Sequence, residues 1–236
     1  MILAGLQKST LIDYPGKIAC IVFTLGCNFR CDFCYNPSLV IHERFLKDLL
    51  SEENFFKFLE GRKNLLDAVV ITGGEPTLHK DLNVFIKKIK DLGFLVKLDS
   101  QGSSPKFLKQ ILEEGNVDYV AMDIKSPIER YQEVTNSRFD PNLILESIKI
   151  IKDYKDQNKN FDYEFRTTVV AGQLMKEDFE KMGEIIKGSR KYYLQNFQAL
   201  EDLNNPEFSK KDSYSKKEME EFKEIMEKYV EKVFIR

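Results

Sequence analysis

Three cysteines close together near the amino terminus form the group of residues with the clearest chemical potential. Cys27, Cys31 and Cys34 have the spacing C-x3-C-x2-C and directly follow a segment with strand character. Three thiolates on one short loop can converge on one metal centre, whereas a cubane iron–sulfur cluster normally takes four. The only other cysteine, Cys20, stands among apolar strand residues, so we expect it to be packed in the core. The spacing therefore predicts a cluster with one iron that lacks a protein ligand.

Two other interpretations of the cysteine segment remain open from the residues alone. The three cysteines and His42 could together bind a structural zinc ion. Cys31 and Cys34 could instead form a redox C-x-x-C pair. A disulfide framework is disfavoured, because all four cysteines lie between positions 20 and 34 and could not staple distant segments.

Glycine and polar residues follow the later strand-like segments. The second such segment ends in Gly73-Gly74-Glu75, where two glycines allow backbone to approach a ligand closely and Glu75 offers an acceptor to an ammonium group. The other candidates near strand ends are Asp99, Ser100, Asp123, Lys125, Arg166 and Gln195. Any one of them could be a cap or a turn residue. Their recurrence predicts a ligand site where the carboxyl ends of parallel strands meet.

Six strand-like segments alternate with helix-like segments, which predicts an α/β fold with a parallel sheet and helices outside. The strands are predicted at about 17–25, 67–72, 94–98, 119–124, 163–170 and 192–197. Six units are fewer than the eight of a closed barrel, so we expect a partial, open (β/α)6 barrel. A doubly wound sheet is the alternative.

A last helix is predicted at about 215–234, packing on the barrel, and the whole of 1–236 is expected to be one domain. Ser215 and Glu218 fit a capping box at its start. Its apolar residues recur at helical spacing: Met219, Phe222, Ile225, Met226, Tyr229 and Val233.

The composition excludes several classes of partner. Among 236 residues, 36 Lys and Arg face 38 Asp and Glu, so no chain-wide basic surface exists and no nucleic-acid partner is expected. No apolar run approaches the roughly 18 residues of a membrane span, so no membrane partner is expected. The first 17 residues lack a signal-peptide pattern, which predicts a cytoplasmic location.

The two motifs together resemble the radical S-adenosylmethionine (SAM) superfamily. Its cluster motif is matched by the three cysteines with Phe33 before the third, and its GGEP motif by residues 73–76. The opening segment 5–17, GLQKSTLIDYPGK, is similar to anaerobic ribonucleoside-triphosphate reductase activating proteins, relatives of the pyruvate formate-lyase activating enzyme. The resemblance spans the chain, because the six βα units match the superfamily's partial barrel.

The resemblance implies a [4Fe-4S] cluster held by the three cysteines, with the amino and carboxylate groups of SAM on the fourth iron. It implies that Gly73, Gly74 and Glu75 hold the amino group of SAM. Phe33 and Tyr35 are expected near the adenine, although His is frequent at the position of Tyr35.

The resemblance also implies roles for residues at the ends of the later strands. Asp99 and Ser100 resemble the start of a D-T-N-G motif, in which Gln101 here replaces Asn, and Asp123 and Lys125 resemble a D-x-K motif. The two acidic positions of that pattern help to bind a monovalent cation beside SAM. Arg166 and Gln195 are further candidates for carboxylate, ribose or adenine contacts.

The implied activity is that of an oxidoreductase with a glycyl-radical-enzyme partner, such as the anaerobic class III ribonucleotide reductase. The reduced cluster passes an electron to SAM, and the resulting 5′-deoxyadenosyl radical removes hydrogen from a partner glycine. A flavodoxin- or ferredoxin-type protein is the expected electron donor. No cysteine follows Cys34, so no auxiliary cysteine-bound cluster is expected. A radical SAM enzyme that acts on a small molecule or a peptide is the alternative.

Overall fold

One eight-stranded sheet forms the body of the protein in the computed structural model, which describes residues 1–41 and 48–236. The strands are β1 Leu3–Thr10, β2 Ala19–Thr24, β3 Ala68–Gly73, β4 Leu95–Ser100, β5 Tyr119–Asp123, β6 Asp162–Val169, β7 Lys191–Asn196 and β8 Lys232–Ile235. His42, the proposed fourth zinc ligand, lies outside the described residues.

The strands follow one another across the sheet in chain order. Strands β2 to β8 are parallel, and β1 pairs antiparallel with β2. A doubly wound sheet would reverse its strand order at a switch point, so that alternative is wrong. The two ends of the sheet, β1 and β8, do not pair with each other among the described residues. The six predicted strands are β2 to β7, and the partial, open (β/α)6 barrel is confirmed.

Helices lie in the connections between the strands. They are α1 Pro37–Val40, α2 Glu52–Glu60, α3 Leu82–Asp91, α4 Pro105–Glu113, α5 Tyr131–Thr135, α6 Asn142–Gln157, α7 Lys176–Ile185 and α8 Lys216–Met226. The longer ones each bury one apolar face; α3, for example, buries Leu82, Phe85, Ile86 and Ile89. None of the helices in the described ranges combines the length and the apolar character that crossing a membrane requires.

Apolar side chains pack together inside the barrel at the amino ends of the strands. Ala19 and Ile21 of β2 pack there with Ala68 and Val70 of β3. Because side chains alternate along a strand, Thr72 continues the inward face of β3 and lines a cavity instead. The inside of the barrel is therefore closed at the amino ends of the strands and open at their carboxyl ends, where the predicted site residues lie.

The carboxyl-terminal segment departs from the prediction of one helix at 215–234. The capping box of Ser215 and Glu218 is present, but α8 ends at Met226 and β8 follows. Tyr229 and Val233 fit helical spacing, yet the open edge of β7 offers unpaired backbone groups to a strand rich in β-branched and aromatic residues. Tyr229 lies in the intervening turn, where its ring packs against Gly183 so closely that an added Cβ would be 2.2 Å away.

Candidate active site

A cavity of about 730 Å³ lies inside the open barrel, toward the carboxyl ends of the strands. All fourteen residues predicted from the sequence line it: Cys27, Cys31, Phe33, Cys34, Tyr35, Gly73, Gly74, Glu75, Asp99, Ser100, Asp123, Lys125, Arg166 and Gln195. These residues come from six strands or the loops that follow them. The parallel sheet is what brings them together, because the carboxyl ends of all six strands share one edge.

The cysteine loop leaves β2 and is tied to the rest of the chain by its backbone. The amide of Gly26, which has a φ of +98°, donates to the carbonyl of Leu39 at 2.7 Å. The Arg30 guanidinium donates to the carbonyls of Cys27 and Phe29 at 2.5 and 2.8 Å and so closes the loop on itself. These contacts hold the loop in one shape without using a cysteine side chain.

A second set of contacts docks the same loop onto α5. The Arg30 amide donates to the carbonyl of Thr135 at 2.8 Å, and the Asn136 side chain donates to Asp32 at 2.9 Å. Phe29 packs its ring 4.7 Å from that of Phe139. Sequence reasoning missed these supporting residues, because nothing in the local pattern shows that α5 returns to the cysteine loop.

The three thiols have the chemistry that an iron–sulfur cluster requires. All four cysteines are free, so the C-x-x-C pair carries no disulfide in the structure. Burial raises the pKa of Cys27 and of Cys31 to about 12, while the nearby Lys125 ammonium lowers that of Cys31. Buried thiolates are costly unless a positive centre compensates them, and iron does so. Cys20 is fully buried in the core, as predicted.

Zinc is the single metal ion that the sequence offered as an alternative to a cluster. Zinc bound at about 2.3 Å would draw its sulfur ligands close together. Among the residues that the structure describes, no group of three or more His, Cys, Asp or Glu side chains is arranged in that way.

The glycine pair brings the end of β3 against the cysteine loop. Gly73 has a φ of +123°, which disfavours other residues, and a Cβ there would be 2.3 Å from the Thr24 amide. A Cβ on Gly74 would be 2.0 Å from the carbonyl oxygen of Gly26. The two loops can therefore touch only because both positions lack side chains.

Glu75 is a buried carboxylate that holds two strand ends together. It is 1% exposed and accepts hydrogen bonds from the Thr77 amide at 3.1 Å, from the Ser100 hydroxyl at 2.8 Å and from the Gln101 amide at 2.8 Å. Burial raises the pKa of this carboxyl, and the hydrogen bonds oppose that rise. The carboxylate is thus positioned by β4 before any ligand arrives.

Gln101, which stands where the D-T-N-G motif has Asn, joins β4 to the cysteine loop. Its side-chain amide donates to the Asn28 side chain at 2.7 Å and to the Ser103 hydroxyl at 2.6 Å. Asn28 lies between the first two cysteines and donates to Ser103 at 2.9 Å. The longer Gln side chain therefore serves the loop as a positioning group.

Asp99 and Asp123 are joined by Arg166, which spans the inner faces of β4, β5 and β6. Its Nη1 is 3.1 Å from Asp99 and its Nε is 2.9 Å from Asp123. Lys125 is 2.9 Å from the other oxygen of Asp123, and Lys97 is 2.5 Å from the other oxygen of Asp99. Burial opposes ionisation, but the neighbouring cations outweigh it and hold the pKa of both carboxyls below their usual range.

Lys97 is a site residue that the sequence analysis did not select. The available signal was the period of two in a strand, because Lys97 and Asp99 must point to the same face of β4. Its neighbours Val96 and Leu98 point to the opposite face, where they are buried.

Two predicted aromatic residues, Phe33 and Tyr35, form another part of the cavity wall. Phe33 is buried, and the Lys125 ammonium lies 5.7 Å from the centre of its ring. Tyr35 stacks on Phe197 at 5.8 Å, and its hydroxyl accepts from the Gln198 amide at 2.9 Å. Both rings line the cavity.

Residues 21–186 match the model of the radical SAM superfamily, and the chain belongs to that superfamily. The cofactors of the family are a [4Fe-4S] cluster and SAM, and the protein is accordingly a radical SAM enzyme.

Its relatives include activating enzymes. A protein of Methanocaldococcus jannaschii assigned as a glycyl-radical enzyme activating enzyme is 33% identical over 238 residues, which cover 100% of this chain and 95% of the relative. The pyruvate formate-lyase-activating enzyme of Clostridium pasteurianum is 30% identical over 130 residues, 51% of each chain. A solved domain of the enzyme of that name from Bacteroides vulgatus matches with a TM-score of 0.56 at 17% identity, covering 72% of this chain and 98% of the domain, and shares the fold.

Proposed function

We propose that this chain activates a glycyl-radical enzyme by removing a hydrogen atom from one of its glycines, and that the partner is an anaerobic class III ribonucleotide reductase. The observation that carries the proposal is the full-length similarity to the activating enzyme of M. jannaschii. The opening segment at 5–17 resembles reductase activators in particular and supports the finer assignment.

In this proposal Cys27, Cys31 and Cys34 hold the cluster. When bound, the reduced cluster and SAM supply a 5′-deoxyadenosyl radical that takes hydrogen from a glycine. The protein buries Cys31 and half-buries Cys27 and Cys34, and backbone hydrogen bonds hold the loop that carries them.

The residues around the cluster loop bind and orient SAM. Gly73 and Gly74 admit the methionine part to the backbone, and Glu75 accepts a hydrogen bond from its ammonium group. The Lys125 ammonium faces the cavity and is suited to the carboxylate of SAM.

The other walls of the cavity serve the rest of the SAM molecule. Arg166 adds positive charge toward the SAM carboxylate, while the rings of Phe33 and Tyr35 flank the adenine. Ser100 and Gln195 offer polar contacts to the ribose and the adenine.

The open side of the barrel is the proposed entrance for the partner's glycine loop. Gln7 of β1 and Arg236 next to β8 both line the cavity, so it reaches the gap between the two unpaired ends of the sheet. Ile12 and Leu200 also line it and are exposed, which suits contact with another protein. We treat 1–236 as one domain built around this cavity.

The electron is proposed to come directly from a flavodoxin- or ferredoxin-type protein. The chain has four cysteines, one of them buried in the core, so the remaining three serve one cluster. No second cysteine-bound cluster within the chain is available to relay the electron.

The test is anaerobic reconstitution with iron and sulfide, reduction with dithionite, and addition of SAM with a class III reductase. We expect 5′-deoxyadenosine together with a glycyl-radical signal on the reductase in electron paramagnetic resonance. A reductase with its radical-site glycine replaced by alanine is the control and should give no such signal.

Two outcomes would change the proposal. Formation of 5′-deoxyadenosine without any radical on the reductase would contradict that partner and favour another glycyl-radical enzyme, a peptide or a small molecule. Uptake of zinc in place of iron would contradict the cluster.

A further inference from the structure

Lys97 stands out because it is a buried cation with no place in the SAM contacts described above. It is 2% exposed, and among the lysines in the described part of the chain it alone is fully buried. In the sheet it is paired with Val70 on one side and with Tyr119 on the other. A buried ammonium is costly unless it is paired, and its partner is Asp99 at 2.5 Å.

The pair of aspartates that the family resemblance associates with a monovalent cation is already neutralised by the protein. The two oxygens of Asp99 face Lys97 and Arg166, and those of Asp123 face Arg166 and Lys125. A hard cation binds through oxygen ligands, and each of these four oxygens has a cationic partner. A metal cation between the two carboxylates therefore does not fit the arrangement.

The position of Lys97 distinguishes it from the other two cations. Arg166 and Lys125 line the cavity, where they can donate further hydrogen bonds to an anionic ligand such as the SAM carboxylate while they stay beside the aspartates. Lys97 lies two residues before Asp99 on the same face of β4, beneath the cavity wall. Its contact with Asp99 therefore does not depend on a ligand in the cavity.

We infer that the Lys97 ammonium takes the place of the monovalent cation in this enzyme, so that SAM binding does not depend on sodium or potassium. The inference rests on the SAM site of the superfamily and not on the identity of the glycyl-radical partner. Lys97 acts through Asp99 and is a positioning residue.

The first test is calorimetric titration of SAM into the anaerobically reconstituted enzyme in potassium, sodium or choline chloride at equal ionic strength. We expect the three dissociation constants to agree within about twofold. A dissociation constant tenfold or more higher in choline chloride would overturn the inference. Absence of SAM binding in every salt would contradict the SAM site itself.

The second test uses Lys97→Met, which keeps most of the side-chain volume but removes the charge. We expect this variant to bind SAM at least tenfold more weakly than wild type in choline chloride, with recovery in sodium or potassium chloride. Lys90→Met is the matched control, because Lys90 pairs with Asp118 at 2.7 Å away from the cavity. This control should behave as wild type in all three salts.

Two results with the variant would contradict the inference. One is wild-type SAM affinity of Lys97→Met in choline chloride, and the other is weak binding that neither sodium nor potassium improves. If the variant does not fold, ²³Na line broadening on wild type decides instead. Saturable broadening that SAM enhances would overturn the inference, and its absence would support it.

Discussion

At the scale of single residues, Cys20 and Cys31 have the same side chain but different roles. We expect Cys31→Ala to abolish both cluster binding and SAM cleavage, because two thiolates remain where three are needed. Cys20→Ala should retain iron, sulfide and activity and lose about 1 kcal/mol of stability, since Cys20 only fills space in the core. Iron and sulfide analysis measures the cluster content of the two variants, and urea unfolding measures their stability. A full cluster in Cys31→Ala would refute the ligand assignment.

Glu75 combines a structural role with the proposed contact to SAM, and two variants separate the roles. Glu75→Ala leaves the donors of Thr77, Ser100 and Gln101 without their acceptor and should cost about 3 kcal/mol of stability. Glu75→Gln retains one acceptor oxygen and should fold better. It should keep the cluster but bind SAM about tenfold more weakly, because the ammonium loses a charged partner. Unchanged SAM affinity of Glu75→Gln in calorimetry would remove this contact.

The lowered pKa values of Asp99 and Asp123 predict how stability depends on pH. A carboxyl with a lower pKa in the folded state stabilises the fold above its unfolded pKa of about 4, and that contribution is lost as the pH falls through the folded value. Arg166→Met removes the cation that both carboxyls share, so their folded pKa values should rise. Acid unfolding of the cluster-free protein should then begin at a higher pH than in wild type. An unshifted acid transition would contradict the ion-pair network.

At the scale of elements, the contact between the end of β3 and the cysteine loop depends on the missing side chain at Gly74. A Cβ there would meet the backbone of Gly26, next to Cys27, and backbone cannot move aside as a flexible side chain can. We expect Gly74→Ala to displace the loop and to lower the iron content after reconstitution severalfold. Gly5→Ala is the control, because a Cβ on Gly5 meets nothing within 4 Å. Equal iron content in the two variants would show that the close approach is dispensable.

The last helix and the last strand show the limit of local patterns at this scale. Residues 215–226 form a helix because the capping box and the apolar spacing agree with each other. Beyond Met226 the spacing still suits a helix, but Val233 is buried by pairing with β7. The open edge of a distant strand thus decided the structure of these residues.

At the scale of the whole molecule, SAM should stabilise the fold, because its site draws on the ends of six strands. At a SAM concentration 100 times the dissociation constant, the gain is about 2.7 kcal/mol, or roughly 5 to 10 °C in the unfolding midpoint of a chain of this length. Anaerobic thermal unfolding of the reconstituted enzyme measures the shift. The Cys31→Ala variant should shift much less, and equal shifts would show that SAM binds without the cluster.

The sequence by itself determined the class of the fold and selected the candidate residues of the site. Cys27, Cys31 and Cys34 lie on one short loop, and the GGEP motif follows one strand, so each set is held together by residues adjacent in the chain. The alternation of strands and helices likewise predicted β2 to β7, because side-chain periodicity is a local property. The prediction that residues at the later strand ends lie at one edge of the sheet required only that the strands be parallel.

The tertiary structure alone decided which groups meet across the barrel. The bridge of Arg166 between Asp99 and Asp123, and the burial of Lys97 beneath them, depend on the register of neighbouring strands. The docking of Asn136 on the cysteine loop joins residues more than 100 positions apart. Such pairings follow from strand register and chain crossings, which are set by the packing of the whole sheet and leave no mark in a short stretch of sequence.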